Sequence, residues 1–407
     1  MYDIVVVGGG ASGLMSAIIS KKNYPHLSVL VIEKNSRVAG KVAVSGNGQC
    51  NITNLMSTKN FYHGDSEFAE KIINKFPPLA QAEFFRSIGL PIVFQSDNKG
   101  YPASFQATGV VDALRFFAAD IGVEILTDSE VTNITKSGSS FKLHFNGTAV
   151  TSRAVIVAAG GIAGGKQGSD SGYKLLKSFG HKSTELRPAI VQLKSDLPIL
   201  RALKGIKLSA RLTAVTNGKK ITAPVGDLLF CDYGISGPPV LTLSSYFSGK
   251  SMKIVADLLP NFKPEESLKL LKEKRNNLPS RPSEELFSGL IHRKLGLTLI
   301  KYIGIDITKP FSALSDEELI KANGILHNLE FNITGTNGFS NAQVTAGGIH
   351  TTEFYADTLM SKLEKGLFSA GEVLNVDGEC GGYNLSFAWA CGFTAGISAA
   401  RYIEEIK

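Results

Sequence analysis

Residues 2–17 read YDIVVVGGGASGLMSA, and this stretch decides the fold that the sequence predicts. The apolar, β-branched run from Asp3 to Val7 is typical of a strand buried on both faces. Glycines follow it at once, and helical spacing continues after them. A second apolar strand, LSVLVIEKN, reaches Glu33 twenty residues after Gly13. The order strand, glycine turn, helix, strand predicts a βαβ unit with a parallel sheet, and therefore an α/β protein.

The glycine turn predicts a dinucleotide site. The G-x-G-x-x-G pattern follows a strand, opens a helix and precedes an acidic residue at the end of the next strand, which is the context that gives the pattern its meaning. Glycines allow the backbone to approach a pyrophosphate, and the helix N-terminus favours its negative charge. Glu33 is placed to accept a hydrogen bond from a ribose hydroxyl. The alternative is a turn that serves packing alone. The predicted contacts are Gly8, Gly10, Ala11, Ser12, Gly13 and Glu33.

Length and composition limit the class of protein. At 407 residues, the chain is too long for one ordinary core, so two or three domains are expected. The hydrophobic fraction of 43% and the charged fraction of 19% describe a globular protein. No uninterrupted apolar run is long enough for a membrane span, and no basic leader opens the sequence, so we expect a cytoplasmic protein without membrane contact. The four cysteines are widely spaced without a C-x-x-C pair, which indicates a reducing compartment and predicts no metal site.

The net charge of +7 is unevenly distributed. Residues 190–310 contain 19 Lys and Arg against 10 Asp and Glu, whereas the rest of the chain is almost neutral. A basic middle segment hints at a polyanionic partner. The alternative is a lysine-rich face that simply contacts water.

The pattern of secondary structure also changes in this middle segment. LSARLTAV, Asn217-Gly218 and KKIT predict a β-hairpin with a type I′ turn. From Pro264 to about Ile303 the spacing is helical, and residues 315–318 (SDEE) form a candidate capping box for the next helix. Glycine-rich segments return after Gly338. The predicted boundaries are 1–189 and 338–407 for a split nucleotide-binding domain, 190–262 for an inserted β-rich subdomain, and 263–337 for an inserted helical subdomain.

Several stretches, in the same order along almost the whole chain, resemble one flavoprotein family. They are VVVGGGASGL, GKVAVSGNGQCNITN, AVIVAAGG, DLLFCDYGISGPPVLTLSS, AQVTAGGI and GLFSAGEVLNVDGECGGYNLSFAWACGFTAG. The sequence resembles the BaiN/RdsA-type family, which includes YhiN-like and aminoacetone oxidase-like members. The resemblance implies non-covalently bound FAD, a glutathione-reductase-like Rossmann domain, and inserted β-rich and helical substrate regions.

The resemblance also places a polar loop beside the flavin. In the family pattern S-G-x-G-R-C-N-x-T-N this loop lines the cofactor site, which here implicates Ser45, Asn47, Gly48, Cys50 and Asn51. Two positions depart from the pattern, because Gln49 and Gly40 stand where arginines are usual, although Lys41 is retained. These losses of positive charge weaken any transfer of anion or substrate contacts. The resemblance extends the expected cofactor contacts to Lys34, Val131, Ala159, Gly160, Gly371, Glu372, Gly382, Asn384 and Leu385.

The C-terminal stretch predicts a long helix from Leu385 to about Glu405, with Asn384 as its candidate N-cap. A helix N-terminus aimed at the flavin would stabilise negative charge on the reduced ring; the same residues also suit an ordinary capped helix. Tyr383, Tyr101 and Cys50 are the catalytic candidates, against the alternative that they belong to the core. A redox disulfide between Cys50 and Cys380 is the less favoured alternative, because small buried thiols fit the sequence better. His63, His181 and His350 match no triad or metal spacing, and a dipole role at a helix end suffices for His181.

The sequence and the resemblance together favour an oxidoreductase. The leading hypothesis is reduction of an electron-poor C=C bond, in an enone-type small molecule or an RNA uridine, with NAD(P)H as a transient electron donor. No second strand-linked G-x-G-x-x-G is found, so no separate nicotinamide domain is expected. The alternatives are a flavin oxidase of a small amine such as aminoacetone, and a non-catalytic FAD-binding interaction protein.

Overall fold

The computed structural model describes residues 1–216 and 218–406. The chain divides into two compact units. One comprises residues 1–188 and 342–407, and the other comprises residues 189–341. Each unit has a hydrophobic core of its own.

The secondary structure is numbered in chain order. The strands are β1 (Tyr2–Val7), β2 (Val29–Ile32), β3 (Thr53–Asn54), β4 (Tyr62–Gly64), β5 (Ile92–Phe94), β6 (Lys99–Pro102), β7 (Glu124–Leu126), β8 (Val131–Ser137), β9 (Ser140–Phe145), β10 (Thr148–Val157), β11 (Arg187–Ala189), β12 (Leu193–Ser195), β13 (Lys207–Thr216), β14 (Lys219–Thr222), β15 (Gly226–Phe230), β16 (Gly234–Ser236), β17 (Met252–Asp257), β18 (Leu329–Thr336), β19 (Val344–Ala346), β20 (Leu367–Ser369) and β21 (Val376–Gly378). The helices are α1 (Ala11–Asn23), α2 (Gly40–Val44), α3 (Ser66–Lys75), α4 (Pro78–Ser87), α5 (Ala107–Asp120), α6 (Ser171–Lys177), α7 (Leu200–Leu203), α8 (Pro238–Ser244), α9 (Pro264–Asn277), α10 (Arg293–Tyr302), α11 (Asp316–His327) and α12 (Tyr383–Glu405).

The first unit is built around the predicted parallel sheet. Strand β1 lies between β2 and β10 and is parallel to both, while β7 extends the sheet beyond β2. Strand β20, from the C-terminal part of the chain, pairs in parallel with β10. Ile4, Val5 and Val6 are completely buried, as the continuous apolar run predicts for a strand covered on both faces. The α/β fold class is thereby confirmed, and it places the carboxyl end of β1 beside the start of α1.

Helix α12 packs closely on α1, which brings the two ends of the sequence together. A Cβ at Gly392 would lie 2.5 Å from the Ser12 carbonyl oxygen, and one at Gly396 would lie 2.5 Å from the Ser16 carbonyl oxygen. The Ser20 hydroxyl donates to the Gly396 carbonyl over 2.9 Å. Glycine therefore permits a helix crossing that any side chain would obstruct.

The second unit is an antiparallel sheet with helices. The pairings β13–β15, β15–β16, β16–β12, β12–β18, β18–β17 and β17–β13 close into a ring of six strands. Strand β14 pairs with β13 outside that ring. Apolar side chains of both strands and helices form one core, for example Leu212 and Phe331 from strands and Leu299 from α10.

The local sequence signals in the inserted segment predict the starts of two helices correctly. Helix α9 begins at Pro264, and Ser315 caps α11 through the predicted capping box. Strand β18 (Leu329–Thr336), however, lies within the segment predicted to be helical, because its alternating buried residues complete the sheet with β12 and β17. Strands β13 and β14 pair as the hairpin prediction requires, with Thr216 opposite Lys219. Asn217, the first residue of the predicted type I′ turn, lies outside the described residues, so the turn type stays a prediction.

Candidate functional site

Of the three pattern glycines in the turn after β1, packing requires Gly8 and Gly13 but not Gly10. Gly8 has a φ of +102°, and a Cβ there would lie 2.5 Å from the Ala158 carbonyl oxygen. A Cβ at Gly13 would lie 1.9 Å from the Gly8 carbonyl oxygen. At Gly10, by contrast, a Cβ would meet no atom within 4 Å. Gly10 therefore faces open space, where a ligand could approach the backbone.

Helix α1 begins directly beside this open space. Its N-cap is Gly10, and no side chain hydrogen-bonds to its first turn. Backbone amides of Ala11, Ser12 and Gly13 thus form the start of a helix whose dipole favours an anion. The Ser12 hydroxyl is turned to the protein, because it donates to the Ala370 carbonyl over 3.3 Å. This geometry suits a phosphate bound by main-chain amides.

Glu33, at the end of β2, lies against the same turn. Its Oε2 accepts a hydrogen bond from the Gly9 amide at 2.7 Å, and its Oε1 accepts from the Asn35 amide at 2.9 Å. The side chain is largely buried. The Asn35 Nδ2 also donates to Oε1 over 2.6 Å. A carboxylate has about four acceptor positions, so these three bonds leave capacity for one ribose hydroxyl.

Lys41 and Glu372 connect distant parts of the chain at the site. The Lys41 Nζ lies 2.8 Å from Glu372 Oε2, and Glu372 Oε1 accepts from the Thr345 amide at 2.8 Å. Gly160, with a φ of +72°, lies next to this pair, since a Cβ there would be 3.8 Å from Glu372 Oε2. The structure thus brings Lys41, Gly160 and Glu372 together.

The remaining predicted contacts around this pair differ in their surroundings. Lys34 donates to the Gly168 carbonyl over 2.6 Å. Gly371 has a φ of +82°, and a Cβ there would lie 2.5 Å from Ser12 Oγ, next to the start of α1. Ala159 packs beside the glycine turn, 2.8 Å from the position of a Cβ on Gly8. Val131 is buried in the core.

The polar loop after α2 has an unusual backbone. Gly46, Asn47, Gly48 and Cys50 all adopt positive φ values, of 56°, 55°, 84° and 57°. Such values are costly for residues with a side chain and often accumulate at functional sites. Asn47 and Gly48 are exposed, whereas Cys50 is buried. Ser45, at the start of the loop, donates its hydroxyl to the Val42 carbonyl over 2.8 Å.

At position 40, where the family pattern has an arginine, the structure shows a glycine packed against another side chain. A Cβ on Gly40 would lie 2.1 Å from Gln167 Oε1, so the Gln167 side chain occupies the space beside Gly40. Gln49, the second departure from the family pattern, is exposed.

Asn51 and the start of α12 form the second half of the site. Asn51 Oδ1 is buried and accepts no hydrogen bond. It lies near Gly382, where a Cβ would be 2.5 Å from it. Gly382 is the N-cap of α12 with a φ of +92°, and no side chain caps this helix. An orphaned acceptor therefore lies beside free helix amides, as expected where a ligand completes the hydrogen bonding.

The prediction that Asn384 caps α12 is wrong. The helix begins at Tyr383, so Asn384 and Leu385 are within its first turn. The Asn384 side chain turns back instead: its Oδ1 accepts from the Gly378 amide at 2.8 Å, and its Nδ2 donates to the Gly378 carbonyl at 2.7 Å. Asn384 thereby fixes the strand β21 against α12 and leaves the helix amides uncapped.

The catalytic candidates lie in the same region as this second half, but their chemistry is limited. Tyr383 stacks on Phe61 with 4.6 Å between ring centroids, and burial raises the pKa of Tyr383 to about 12. Burial also raises the pKa of Tyr101 and raises that of the Cys50 thiol to about 11. Cys50 is therefore a neutral thiol at pH 7, which makes it a poor nucleophile. All four cysteines are free thiols, and Cys380 is exposed, contrary to the expectation of a buried thiol.

His181 is not the isolated helix-end residue that the sequence suggested. Its Nδ1 lies 2.8 Å from Glu353 Oε2 and its Nε2 lies 2.9 Å from Ser361 Oγ, while its ring stacks on Phe354. Burial lowers the pKa of His181. Ser361 is almost fully buried, and its Oγ also accepts from two backbone amides. The serine, histidine and glutamate therefore hold a turn in place, and a substrate has no access to the hydroxyl.

Two residues that sequence reasoning missed are Asp377 in β21 and Arg187 in β11. Asp377 is 2% exposed, and its Oδ2 has no hydrogen-bond partner. Arg187 Nε is likewise buried without a partner. An aspartate between valine and glycine carries no sequence signal of burial, so only the pairing of β21 with β4 reveals it.

Many of the positive charges of the basic segment have acidic neighbours. Ion pairs join Lys204 to Asp232, Lys207 to Asp227, Lys253 to Glu330, Arg275 to Asp316 and Lys309 to Glu318. Two of these partners, Asp227 and Asp232, already belong to the counted segment, whereas Asp316, Glu318 and Glu330 lie beyond residue 310 and add negative charge beside it. Within residues 1–216 and 218–406, no cluster of three or more His, Cys, Asp or Glu side chains could hold a metal ion. The same ranges contain no helix with the length and apolarity that crossing a membrane requires.

Comparison with known proteins gives consistent similarities. The family model described as HI0933-like protein Rossmann domain matches residues 2–398. A 3-dehydro-bile acid delta(4,6)-reductase from Clostridium scindens is 35% identical, covering 98% of this chain and 100% of the relative. A ribosomal RNA dihydrouridine synthase from Haemophilus influenzae is 29% identical, covering 98% of each chain. In fold, the chain resembles quinol fumarate reductase from E. coli, with a TM-score of 0.51 and 15% identity over 100% of this chain and 71% of that one.

Proposed function

This chain belongs to the HI0933-like family of Rossmann-domain proteins, and on that premise we propose that it is an FAD-dependent oxidoreductase that reduces an electron-poor C=C bond. The family membership confirms the resemblance identified from the sequence motifs. The reductase named among its relatives acts, by its name, on a bile acid, and the dihydrouridine synthase acts, by its name, on ribosomal RNA. A reduced double bond is the chemistry that these names have in common.

One observation carries the proposal of FAD: two long helices of the first unit have glycine N-caps and no side-chain cap, and each start has a second feature that favours a ligand. At α1 this feature is the unhindered side of Gly10. At α12 it is the buried Asn51 Oδ1, which has no hydrogen-bond partner. A dinucleotide with phosphates at one end and a polar ring at the other matches two such places within one unit.

The predicted contacts divide between the two ends of such a ligand. The amides of Ala11, Ser12 and Gly13 would bind the pyrophosphate, and Glu33 would accept a ribose hydroxyl. Lys41 and Glu372, already paired, would border the middle of the cofactor. Asn51 and the first turn of α12 would contact the polar edge of the isoalloxazine ring.

FAD, when bound, supplies the hydride chemistry, and the protein supplies orientation and electrostatics. The first turn of α12 would stabilise negative charge near the ring by roughly 0.3–2 kcal/mol from its dipole. Since Asn384 is engaged with Gly378, it does not compete for these amides. We propose NAD(P)H as a transient donor, which would bind and leave without a Rossmann domain of its own.

A small enone-type substrate is favoured over RNA. The relative of higher identity is named for a bile acid, and several cations of the basic segment have acidic partners. Binding of RNA would depend steeply on salt, because each phosphate contact releases counterions. A salt-independent affinity for ribosomal RNA would remove that possibility.

Anaerobic stopped-flow absorbance tests the proposal. The purified protein is expected to be yellow, to be bleached rapidly by NADPH or NADH, and to be reoxidised by a 3-keto-4-ene steroid. Bleaching only by aminoacetone-like amines, with peroxide release in air, would identify an amine oxidase instead. A protein that no donor bleaches would be a non-catalytic FAD-binding protein. A colourless protein that does not take up FAD would contradict the whole proposal.

A further inference from the structure

Tyr101 and Phe105 form an aromatic pair that the proposed function does not yet use. Tyr101 belongs to β6, and Phe105 lies between β6 and α5. Their ring centroids are 5.4 Å apart, with an angle of 31° between the ring planes. Phe105 is 37% exposed, and Tyr101 is partly exposed. Single exposed apolar residues are common on protein surfaces, so exposure alone does not assign a role to this pair.

The backbone of Phe105 is strained. Its φ is +52°, in the left-handed region, which is unusual for a bulky side chain. The Phe105 amide donates to the Pro102 carbonyl over 2.8 Å, so a turn holds the residue in this conformation. Such strain lowers stability and accumulates at sites of function. A phenylalanine that is both strained and exposed is a poor choice for stability alone, and this combination points to a ligand that contacts its ring.

Strand β6 places the pair beside the second half of the candidate site. The strand pairs with β3, and the carbonyl oxygen of Thr53 in β3 lies 2.7 Å from the position of a Cβ on Gly382, the N-cap of α12. The Lys99 Cε, in β6, lies 3.6 Å from the position of a Cβ on Gly381. Side chains two residues apart in a strand point to the same face, so the ring of Tyr101 lies on the face of β6 that reaches Gly381. Because both rings of the pair are exposed in part, a substrate can reach them there.

The surroundings of the pair suit an uncharged ligand. Leu55, whose amide donates to the Asn98 carbonyl over 3.0 Å, and Met56 are exposed and extend the apolar surface beside β6. The lysines of α2 and β6, Lys41 and Lys99, are each held by a carboxylate, at 2.8 and 2.6 Å. A ligand with a phosphate backbone needs free cations, whereas an apolar ring system needs exposed apolar surface. The second of these ligands fits the surroundings.

We propose that Tyr101 and Phe105 bind the flat, uncharged ring system of a polycyclic enone and thereby favour it over single-ring enones. This inference rests on the proposed function and deepens it, because it assigns the residues that select the substrate. Several fused rings would cover the aromatic pair and the apolar residues beside it, and removal of this area from water supplies the binding energy. Nucleobases also stack on aromatic side chains, so RNA is the competing ligand in the test.

Reduction of two enones by the FAD-loaded protein tests the inference. A 3-keto-4-ene steroid and 3-methylcyclohex-2-enone have the same reacting group, and only the steroid carries further rings. The wild type should have the higher kcat/KM for the steroid. Phe105→Asn and Tyr101→Leu should each lower the ratio of the two kcat/KM values at least about tenfold. The loss should arise mainly from a higher KM for the steroid, because the lost contact is remote from the double bond.

Two control variants show whether the rings themselves are responsible. Tyr101→Phe keeps the ring without its hydroxyl and should keep the ratio. Phe116→Ala removes a different exposed ring of the same unit, in α5, and should leave both kcat/KM values unchanged.

Stability and ligand binding add readouts that do not depend on activity. Asparagine adopts the left-handed region more readily than phenylalanine does, so the urea midpoint of Phe105→Asn should equal or exceed that of the wild type. A saturated 3-keto steroid, which the protein cannot reduce, should bind to the wild type about tenfold more tightly than to Phe105→Asn in equilibrium dialysis. A side chain that served the fold alone would give the opposite pattern, with a lower urea midpoint and an unchanged affinity for the steroid.

The outcomes separate the inference from the proposed function. If Phe105→Asn and Tyr101→Leu keep the wild-type ratio, or if Tyr101→Phe lowers it as much as Tyr101→Leu does, this inference is overturned and the proposed function stands. Displacement of the saturated steroid by a single-stranded uridine oligonucleotide would assign the pair to a nucleobase and overturn the inference as well. A wild type that reduces no enone but binds the steroid through Phe105 overturns the proposed function alone. A wild type that neither reduces an enone nor binds the steroid overturns both.

Discussion

The N-terminus of α11 in the second unit and those of α1 and α12 in the first unit are completed in different ways. In the second unit, Ser315 Oγ accepts from the Glu318 amide at 3.2 Å, and Glu318 Oε2 accepts from the Ser315 amide at 2.8 Å, so α11 satisfies its own first turn. In the first unit, the N-caps of α1 and α12 are Gly10 and Gly382, and neither helix has a side-chain cap. At the start of α11, the side chains of Ser315 and Glu318 satisfy backbone amides. At the starts of α1 and α12, the first backbone amides have no side-chain acceptor and remain available to a ligand.

Lack of a cap alone does not mark a binding site. Helices α4 and α5 also begin without a side-chain cap, after Pro77 and Gln106. Helices α1 and α12 differ from these in a second feature beside each start. A Cβ on Gly10 would meet no atom within 4 Å, and the buried Asn51 Oδ1 near the start of α12 has no hydrogen-bond partner. The comparison indicates that a ligand binds where a helix N-terminus has no cap and where, in addition, free space or a polar atom without a partner lies beside it. Substitutions in each unit should therefore affect different quantities.

The largest effect is expected from Gly382→Ala. A side chain would have to adopt a φ of +92° and would place its Cβ 2.5 Å from Asn51 Oδ1 and 2.7 Å from the Thr53 carbonyl oxygen. The left-handed conformation alone costs about 1–2 kcal/mol, and the contacts add to it. We expect the free energy of unfolding to fall by about 2 kcal/mol or more and FAD binding to be lost. Urea denaturation and flavin content measure the two effects, and a variant with wild-type values of both would refute the role of this start.

Gly10→Ala should separate cofactor binding from stability. The backbone of Gly10 has a φ of −77°, which alanine adopts readily, and a Cβ there meets no atom within 4 Å. The apo protein should be unchanged or more stable by up to about 1 kcal/mol. The affinity for FAD should fall by about 100-fold, or 2.7 kcal/mol, because the methyl group occupies the approach of the pyrophosphate.

A matched control exists in the second unit. Gly324 lies in α11, and a Cβ there also meets no atom within 4 Å. Gly324→Ala should stabilise the helix by about 1 kcal/mol and leave FAD affinity unchanged. Equal FAD affinities for Gly10→Ala and the wild type would show that no phosphate lies at α1, and the contrast between the two units would fail.

These positions also show which features a sequence can reveal. Pro264 and Ser315 act within one helical turn, so their roles as helix starts follow from local chemistry. The turn from Gly8 to Gly13 is equally local, and its strand and helix follow from hydrophobic periodicity. The sequence predicts Asn384 as the N-cap of α12, but the N-cap is Gly382. Glycine adopts almost any φ, so the sequence alone does not reveal that Gly382 has a φ of +92°. Asp377 and the contacts of His181 depend on residues far away in the sequence, and only the folded chain brings them together.

Ser315→Ala should affect stability alone. Loss of an N-cap serine costs about 1 kcal/mol, because the amide of Glu318 loses its acceptor. The free energy of unfolding should decrease by that amount, and FAD affinity should not change. Ser315→Gly serves as the control, since glycine is tolerated at an N-cap and should cost only a few tenths of a kcal/mol. A loss of FAD from Ser315→Ala would mean that stability and binding are not separable in this way.

The smallest effect should come from Glu318→Gln, and it should depend on pH. The hydrogen bond from Lys309, followed by that from the Ser315 amide, holds the pKa of Glu318 below its ordinary value of 4.5. A carboxyl group with a lowered folded pKa stabilises the protein above its unfolded pKa, and this stabilisation disappears as pH falls through the lowered value. Glutamine keeps the capping hydrogen bond but not the charge.

At pH 7, the wild type should therefore exceed Glu318→Gln in free energy of unfolding by about 0.5 kcal/mol, as an accessible ion pair implies, and the difference should vanish at acid pH. High salt should shrink it as well. Lys309→Met should remove most of this contribution, so that adding Glu318→Gln to it costs less at pH 7 than it does in the wild type; the remainder is the bond from the Ser315 amide. A difference that stays constant from neutral to acid pH would show that the amide bond alone matters at α11. In that case the start of α11 would depend on shape and hydrogen bonding, as the starts of α1 and α12 do, and charge would not distinguish the two units.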